Sequence, residues 1–299
     1  MYNVQASIFN SLGDSKRPLY LLIFSSLLNI ALDMVFVICF HQGVRGVAVA
    51  TLIAQGVSAV LSFFLLMRKL KGYEEEEKYG CYDFGMMRSM VKIAVPSTLQ
   101  QSIVHMGILL VQSVVNSFGS AALAGDSAGS RIESLCIVPM IATGNAVSTF
   151  TAQNIGAGKV ERVKQGYRAS YAIVIGFAAA IAAVVAIFHG PIISSFLKGD
   201  NTSDAFITGV GYLSFIGWFF VFIGFKTCTD GVLRGAGDVV AFTIANLVNL
   251  AIRVFTAFHF APIWGVAAVW YAVPMGWLAN YLISFSWYLT GRWAKRRLI

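Results

Sequence analysis

Ionisable and amide side chains are scarce in this sequence, and those lying inside long apolar runs are the ones whose chemistry matters. Asp33 follows Asn29 by one helical turn, so both side chains point the same way. A carboxylate of that kind, held in an apolar span, is deep enough to bind a proton or a small coupling cation. Glu133 is a second such acid; its neighbour Arg131 makes an outer-face ion pair the plainer expectation. Gln101, His105, Gln112 and Asn116 recur at spacings of four, seven and four, which puts them on one helical face. That face should meet protein or a water-filled cavity, because polar groups facing lipid are costly. His105 lies about 20 Å along the helix from Lys92, near the bilayer middle. An imidazole at that depth is expected either to serve a proton-coupled process or to be a satisfied packing residue with no such role. A second stripe carries Asn246, Asn249, Arg253 and Thr256. An arginine inside a span costs on the order of 3 kcal/mol unless it is paired or snorkels to the surface. Lys226 poses the same problem, with Asp230 one turn on as one remedy and the interface as the other. Gln101, His105, Asn145, Asn249, Arg253, Asp33 and Glu133, in that order, are the expected residues of a substrate and ion pathway.

Other chemistries fare poorly. Gly156-Ala157-Gly158 and Gly235-Ala236-Gly237 contain the glycines of a phosphate cradle, but no strand precedes them and no lysine-serine pair follows. Tight turns between helices explain them better. Gly235-Ala236-Gly237-Asp238 also spells the Gly-x-Gly-Asp of intramembrane aspartyl proteases, a chemistry that needs two carboxylates sharing a proton. A turn-capping role for Asp238, and for Asp14 at a similar turn, accounts for both acids. Cys39, Cys81, Cys136 and Cys228 have no pair spacing, which argues against disulfides or a bound metal. No catalytic group, cofactor or metal is expected, and the chain does not read as an enzyme.

The elements that must position these residues follow from composition. Of 299 residues, 57% are hydrophobic and 12% charged, with a mean hydropathy of +0.72. A soluble domain carries about 25% charged residues, so this is a membrane chain. Eight apolar stretches are long enough to cross a bilayer: 18–40, 44–67, 90–117, 132–154, 170–188, 205–229, 239–261 and 264–289. Seventeen of the 22 Lys and Arg residues fall in alternate loops, at 16–17, 68–92, 159–168, 234 and 292–297. The positive-inside rule therefore makes those loops and the C-terminus cytoplasmic. The +8 charge is a topology signal rather than a nucleic-acid surface, since no basic stripe with interleaved aromatics exists. The polar stretch 69–88, with Glu74 to Glu77, reads as a cytoplasmic linker.

A weak duplication organises the rest. Asn10-Ser11-Leu12-Gly13-Asp14 precedes a span carrying Asn29, and Leu233-Arg234-Gly235-Ala236-Gly237-Asp238 precedes a span carrying Arg253. Gly46-Val47-Ala48-Val49-Ala50 is echoed by Gly265-Val266-Ala267-Ala268-Val269. Six spans separate the equivalent turns, so the copies run in the same direction, as in many secondary transporters. The expected organisation is 1–68 as the end of a first six-helix lobe (two helices and a stub), 69–88 as linker and 89–299 as a complete second lobe. About four helices would then precede Met1. The fold class is all-α: a polytopic transmembrane bundle with about eight complete spans of a two-lobe, parallel-repeat transporter.

Leu12-Gly13-Asp14-Ser15-Lys16-Arg17-Pro18, Ala152-Gln153-Asn154-Ile155-Gly156-Ala157-Gly158 and Leu233 to Asp238 resemble segments of the multidrug and toxic compound extrusion (MATE) family. Arg131-Ile132-Glu133-Ser134 and Val95-Pro96-Ser97 fit as well, and the resemblance covers essentially the whole chain. It implies twelve helices in two lobes about a central cavity, and export of cationic or amphipathic drugs or toxic metabolites in exchange for H⁺ or Na⁺. It further implies a multi-pass protein of the cell membrane, in contact with lipid and monomeric when full length. Some sodium-coupled members of the family place acids on the first and fourth helices of the second lobe; Gln100, Gln101 and Lys226 stand there instead. Three rivals remain. A flippase of lipid-linked or polysaccharide precursors should show several cavity arginines, and only Arg131 and Arg253 qualify. A major-facilitator transporter shares the parallel repeat but needs a Gly-x-x-x-Asp-Arg-type loop that is absent. The third is a non-functional truncated remnant.

Overall fold

A computed structural model describes residues 1–72, 82–197 and 203–295. Glu74 to Glu77, Lys78, Cys81, Lys198, Arg296 and Arg297 lie outside the described residues, as does the middle of the expected linker, 73–81. Every regular element among the described residues is helical, and they fall into two compact units, Met1–Asp83 and Phe84–Ile299.

The first unit contains α1 (Tyr2–Ser11), α2 (Lys16–Met34) and α3 (Gly43–Leu70). A π-helical turn, Val35–Cys39, continues α2. α2 and α3 pack largely through small residues: Ser25, Ala50, Ala54, Ser58 and Ser62 are buried, and most long aliphatic side chains other than Leu21 and Leu66 point outward. This inversion of the soluble pattern belongs to helices solvated by lipid, where small residues let backbones approach.

The second unit contains α4 (Phe84–Asn116), α5 (Ser120–Cys136), α6 (Val138–Gly156), α7 (Val160–Ser194), α8 (Asp204–Ile216), α9 (Phe220–Gly235), α10 (Val239–Trp264) and α11 (Ala267–Leu289). Seven helical segments among the described residues are long and apolar enough to cross a membrane. α11, the eighth expected span, is 23 residues and about 34 Å long. Its tryptophans and tyrosines lower its hydropathy below that of the other seven.

Two expected boundaries are corrected. The span expected at 132–154 is the second half of a 37-residue run, Ser120–Gly156, broken at Ile137 ahead of Pro139. Gly125, Ser127, Gly129 and Ser130 lower the hydropathy of the first half, yet their small size lets α8 lie against it. The span expected at 170–188 runs from Val160 to Ser194, because helix propensity outlasts the apolar stretch at both ends. The expected 205–229 span is interrupted by a 3₁₀ turn at Gly217–Phe219.

Three interhelical turns are built alike. Gly13, Gly158 and Gly237 have φ of +76°, +70° and +72°. In each the residue after the glycine donates its N–H five residues back: Asp14 to Phe9, Lys159 to Asn154 and Asp238 to Leu233, at 2.9, 2.7 and 2.8 Å. These are Schellman closures, which need a left-handed residue and satisfy the last helical carbonyls. The glycine motifs are turn chemistry. Gly265, at φ +66°, enters α11, whereas its expected counterpart Gly46 lies inside α3 against Phe36. The positive-φ residue entering α3 is Gly43, so the second echo is three residues out of register.

The two turn aspartates part company. Asp14 accepts from Arg17 N at 3.4 Å, as a cap should, and also from Lys69 Nζ at 2.8 Å on α3. Asp238 makes no side-chain cap; it accepts Trp287 Nε1 of α11 at 2.9 Å. The capping expectation therefore holds for Asp14 and is corrected for Asp238. Its buried position puts an indole within reach. The hydrogen bond from Lys69 holds the Asp14 carboxyl below its ordinary 3.8, with Arg17 assisting. A folded value below the unfolded one contributes stability that is present above the unfolded value and lost as pH falls through the folded value. Solvent screening keeps the effect small. Lys69→Met should flatten the thermal midpoint between about pH 5 and pH 3 relative to the unaltered chain; parallel profiles would contradict the assignment.

Candidate functional site

In the first unit, α2 and α3 bring Asn29 and Thr51 together, with Asp33 one turn farther along α2. Asn29 Nδ2 donates to Thr51 Oγ1 at 3.4 Å, and that hydroxyl donates to Val47 O at 2.9 Å. Asp33, one turn beyond Asn29, is half-buried, and its Oδ1 is fully buried with no hydrogen-bond partner. An unsatisfied buried carboxylate oxygen costs several kcal/mol in an apolar setting, so this group calls for a proton, a cation or water. The π turn begins two residues after Asp33; such turns widen the helix and recur at functional sites. A cavity of about 250 Å³ opens beside Asn29 and Thr51, lined among others by Ser25, Ser26, Gln55 and Ser58; Asp33 is not part of its wall.

The second unit holds two polar centres joined by the seam between α10 and α11. In one, Asp230 of α9 accepts Lys226 Nζ at 3.0 Å, Ser284 Oγ of α11 at 2.6 Å and Asn246 Nδ2 of α10 at 3.4 Å. Ser284 also lies 3.4 Å from Asn280 Oδ1, and Asn280 Nδ2 is buried without a partner. In the other, Tyr212 of α8 donates its hydroxyl to Glu133 of α5. Asp126, one face up on α5, is 5% exposed. The Trp270 indole N–H lies beside the Asp126 carboxylate, without a well-directed hydrogen bond. Arg253 of α10 acts through space on both carboxylates, yet it belongs to none of the ion pairs within 4 Å among the described residues. Asn249 lies between the two centres along α10: its Oδ1 is buried and unpartnered, and Gly276 of α11 packs closely against it and Arg253. Buried amides left open in this way are where ordered water sits.

The expected residues are thus dispersed. Asn249 and Arg253 share one face of α10 in the second unit, Arg253 acts through space on Glu133, and Asp33 sits in the first. Glu133 does not pair with Arg131, which is exposed; the correction arises because residue 133 lies inside a helical run, facing α8, rather than at a helix entrance. Asn145 is exposed and accepts Arg234 Nη2 at 2.7 Å, tying α6 to α9. Gln101, His105 and Asn116 are exposed on the second unit, because α4 packs on α10 through Gly107, Val111 and Val115 instead. Of the two remedies for Lys226, the structure shows the Asp230 pair. Asp126, Tyr212, Thr51, Asn280 and Ser284 escaped the sequence reading. The four-residue spacing of Asn280 and Ser284 was the one available signal.

Two family profiles match the sequence: MatE over residues 96–259, and lipid II flippase MurJ over residues 1–123. A probable multidrug resistance protein of Bacillus subtilis, YpnP, is 29% identical over 99% of this chain and 66% of its own length. A FAD transporter of Shewanella oneidensis is 28% identical over 62% of this chain and 42% of its own. Among solved structures, a MOP superfamily transporter from Pyrococcus furiosus superimposes with a TM-score of 0.90 at 22% identity, covering 99% of this chain and 67% of that one. The chain therefore spans about two thirds of the length of the relatives it matches.

Proposed function

Because the chain belongs to the MatE family, as its match over residues 96–259 shows, we propose that it is a secondary active exporter rather than an enzyme. It exchanges cationic or amphipathic small molecules, drugs or toxic metabolites, for H⁺ or Na⁺ across the cell membrane. The C-terminus is cytoplasmic in this reading. One observation carries it: Asp33, one turn beyond Asn29 on α2, presents a buried carboxylate oxygen without a partner. A coupling cation bound there neutralises the acid and favours the conformation in which the site is closed. Substrate must favour the other conformation, since a ligand with equal affinity for both shifts nothing. Asn249 and Arg253 line the polar seam of the second unit, with Glu133 held by Tyr212 at its far end.

The test is reconstitution of the chain into liposomes with ethidium as substrate. Imposed proton or sodium gradients should each be tried, and one should drive ethidium movement that stops when that gradient is collapsed. Ethidium movement indifferent to both gradients would remove the exporter reading.

The flippase match over residues 1–123 favours a second reading, the movement of a lipid-linked precursor. Pyrophosphate headgroups need several inward cations. In the second unit Lys226 is already neutralised by Asp230 and Arg234 is committed to Asn145. Movement of a fluorescent lipid-linked pyrophosphate in the same liposomes, with ethidium left behind, would favour this alternative.

A further inference from the structure

We propose that the Lys226 ammonium is a tethered cation filling an oxygen site built by α9, α10 and α11, and that it keeps free sodium out of the second unit. A lysine and an aspartate four residues apart on a helix are ordinarily a solvated surface pair worth little. This pair is different. The Lys226 and Asp230 side chains are 15% and 6% exposed, and neither sits at a helix end that water reaches freely. The carboxylate is served from three helices: Lys226 on its own, Asn246 on α10 and Ser284 on α11. Asn280, fully buried, adds its Oδ1 to the group through Ser284.

Stripped of the ammonium, what remains is a hard-oxygen cradle. It has both oxygens of Asp230, the Ser284 hydroxyl and Asn280 Oδ1, with the Asn246 amide, whose Nδ2 is shared between Asp230 and Phe242 O, at its edge. That donor set, with one negative charge and neutral oxygens, suits a small monovalent cation. Asn280 Nδ2, buried and unpartnered, is a donor left open at the edge of the group, a place for water and not for a cation.

The charge balance gives the site its behaviour. With Lys226 present the group is neutral, and a second cation would bring one uncompensated positive charge into an apolar span. With Lys226 absent the group is a buried, unpaired carboxylate, which must acquire a cation or a proton. The consequence, resting on the exporter reading above, is that the coupling ion is left to the Asp33 centre. The binding behaviour itself is independent of that reading, because it is read without transport.

The experiment uses the full chain in detergent at about pH 9, where ordinary carboxyls are ionised. Thermal midpoints are compared in sodium chloride and in choline chloride of equal ionic strength. An Asp33→Asn background removes sodium effects at the first unit. In that background the protein should be indifferent to sodium. Adding Lys226→Met should produce a sodium-dependent rise of more than about 4 °C at saturation, and adding Asp230→Asn as well should abolish it. The proposal is overturned if Lys226→Met gains no sodium response. It is overturned equally if the lysine-bearing protein already shows a response that Asp230→Asn removes. Should Lys226→Met not fold, equilibrium binding of radioactive sodium to the Asp33→Asn protein decides. Absence of binding sensitive to Asp230→Asn supports the tethered cation, and its presence refutes it.

Discussion

Replacing Gly231 with valine is expected to force α6 and α9 apart and to cost more than about 3 kcal/mol, at the upper end of what overpacking does. A side chain on Gly231 would run into the carbonyl oxygen of Gly144 and meet Val147 Cβ at 3.3 Å. One on Gly144 would strike the Thr227 carbonyl at 2.6 Å, and one on Gly235 the Ser148 carbonyl. The obstacles are backbone atoms, which cannot rotate away. Close backbone approach through small residues is what holds helices together when lipid supplies no hydrophobic drive. The same seam carries Thr227 Oγ1 to Met140 O at 3.0 Å and Arg234 to Asn145 and Ser148. Opening it therefore forfeits hydrogen bonds as well as contacts. Gly144→Val should act likewise, and the double variant should cost less than the sum, since both open one interface. Gly176 of α7 has no neighbouring atom within 4 Å of an added Cβ, so Gly176→Ala serves as control and should leave the protein unchanged or slightly firmer. Thermal midpoint and monodispersity in detergent read all four. A Gly231→Val protein melting with the unaltered chain would show that the α6–α9 seam is not close-packed.

That seam also marks what the residues reveal in advance. Long apolar runs punctuated by glycine turns announce membrane helices, because the bilayer fixes the length and lipid fixes the composition. The stripe Asn246, Asn249, Arg253 is visible by its period alone, and α10 does turn Asn249 and Arg253 toward Gly276 of α11. The α5 segment is hidden for the opposite reason. Its glycines and serines look like a loop on any hydropathy scale, yet they are there because α8 lies against them: Gly125 faces Ala205 and Thr208, and Gly129 faces the Tyr212 ring. Misreading that segment as a helix entrance is what gave Glu133 the wrong partner. The bond from Tyr212 to Glu133 spans 79 residues, and no local period predicts it. Asp126 was overlooked with its helix. The stripe on α4 illustrates a different limit. Period identifies a polar face, but which face a neighbour covers depends on the neighbour; Leu250 of α10 fits over Gly107, and His105 stays outside.

Asp33→Asn is expected to abolish gradient-driven movement while leaving substrate binding and folding largely intact. Asparagine preserves the volume of the side chain and can still hydrogen-bond, so packing between α2 and α3 should survive. What it removes is the charge. The aspartate oxygen that now lies buried without a partner is costly as an anion and comfortable once neutralised. That difference is the free energy by which a cation or proton biases one conformation over another. Each 1.4 kcal/mol of lost bias is about a tenfold change in the conformational ratio, so losing several kcal/mol removes coupling altogether. Gradient-driven ethidium movement in liposomes should therefore fall at least tenfold, whereas passive equilibration down an ethidium gradient should persist. Thr51→Ala should be milder. It takes away the hydroxyl that Asn29 donates to, loosening the amide beside the acid without touching its charge. A net hydrogen bond of this kind is worth about 1 kcal/mol, so Thr51→Ala should shift the cation concentration for half-maximal movement roughly fivefold. The asparagine variant should show no saturable cation dependence at all. Coupled movement that survives Asp33→Asn would transfer the coupling role to the second unit, where Glu133 and the buried Asp126 are the acids to test.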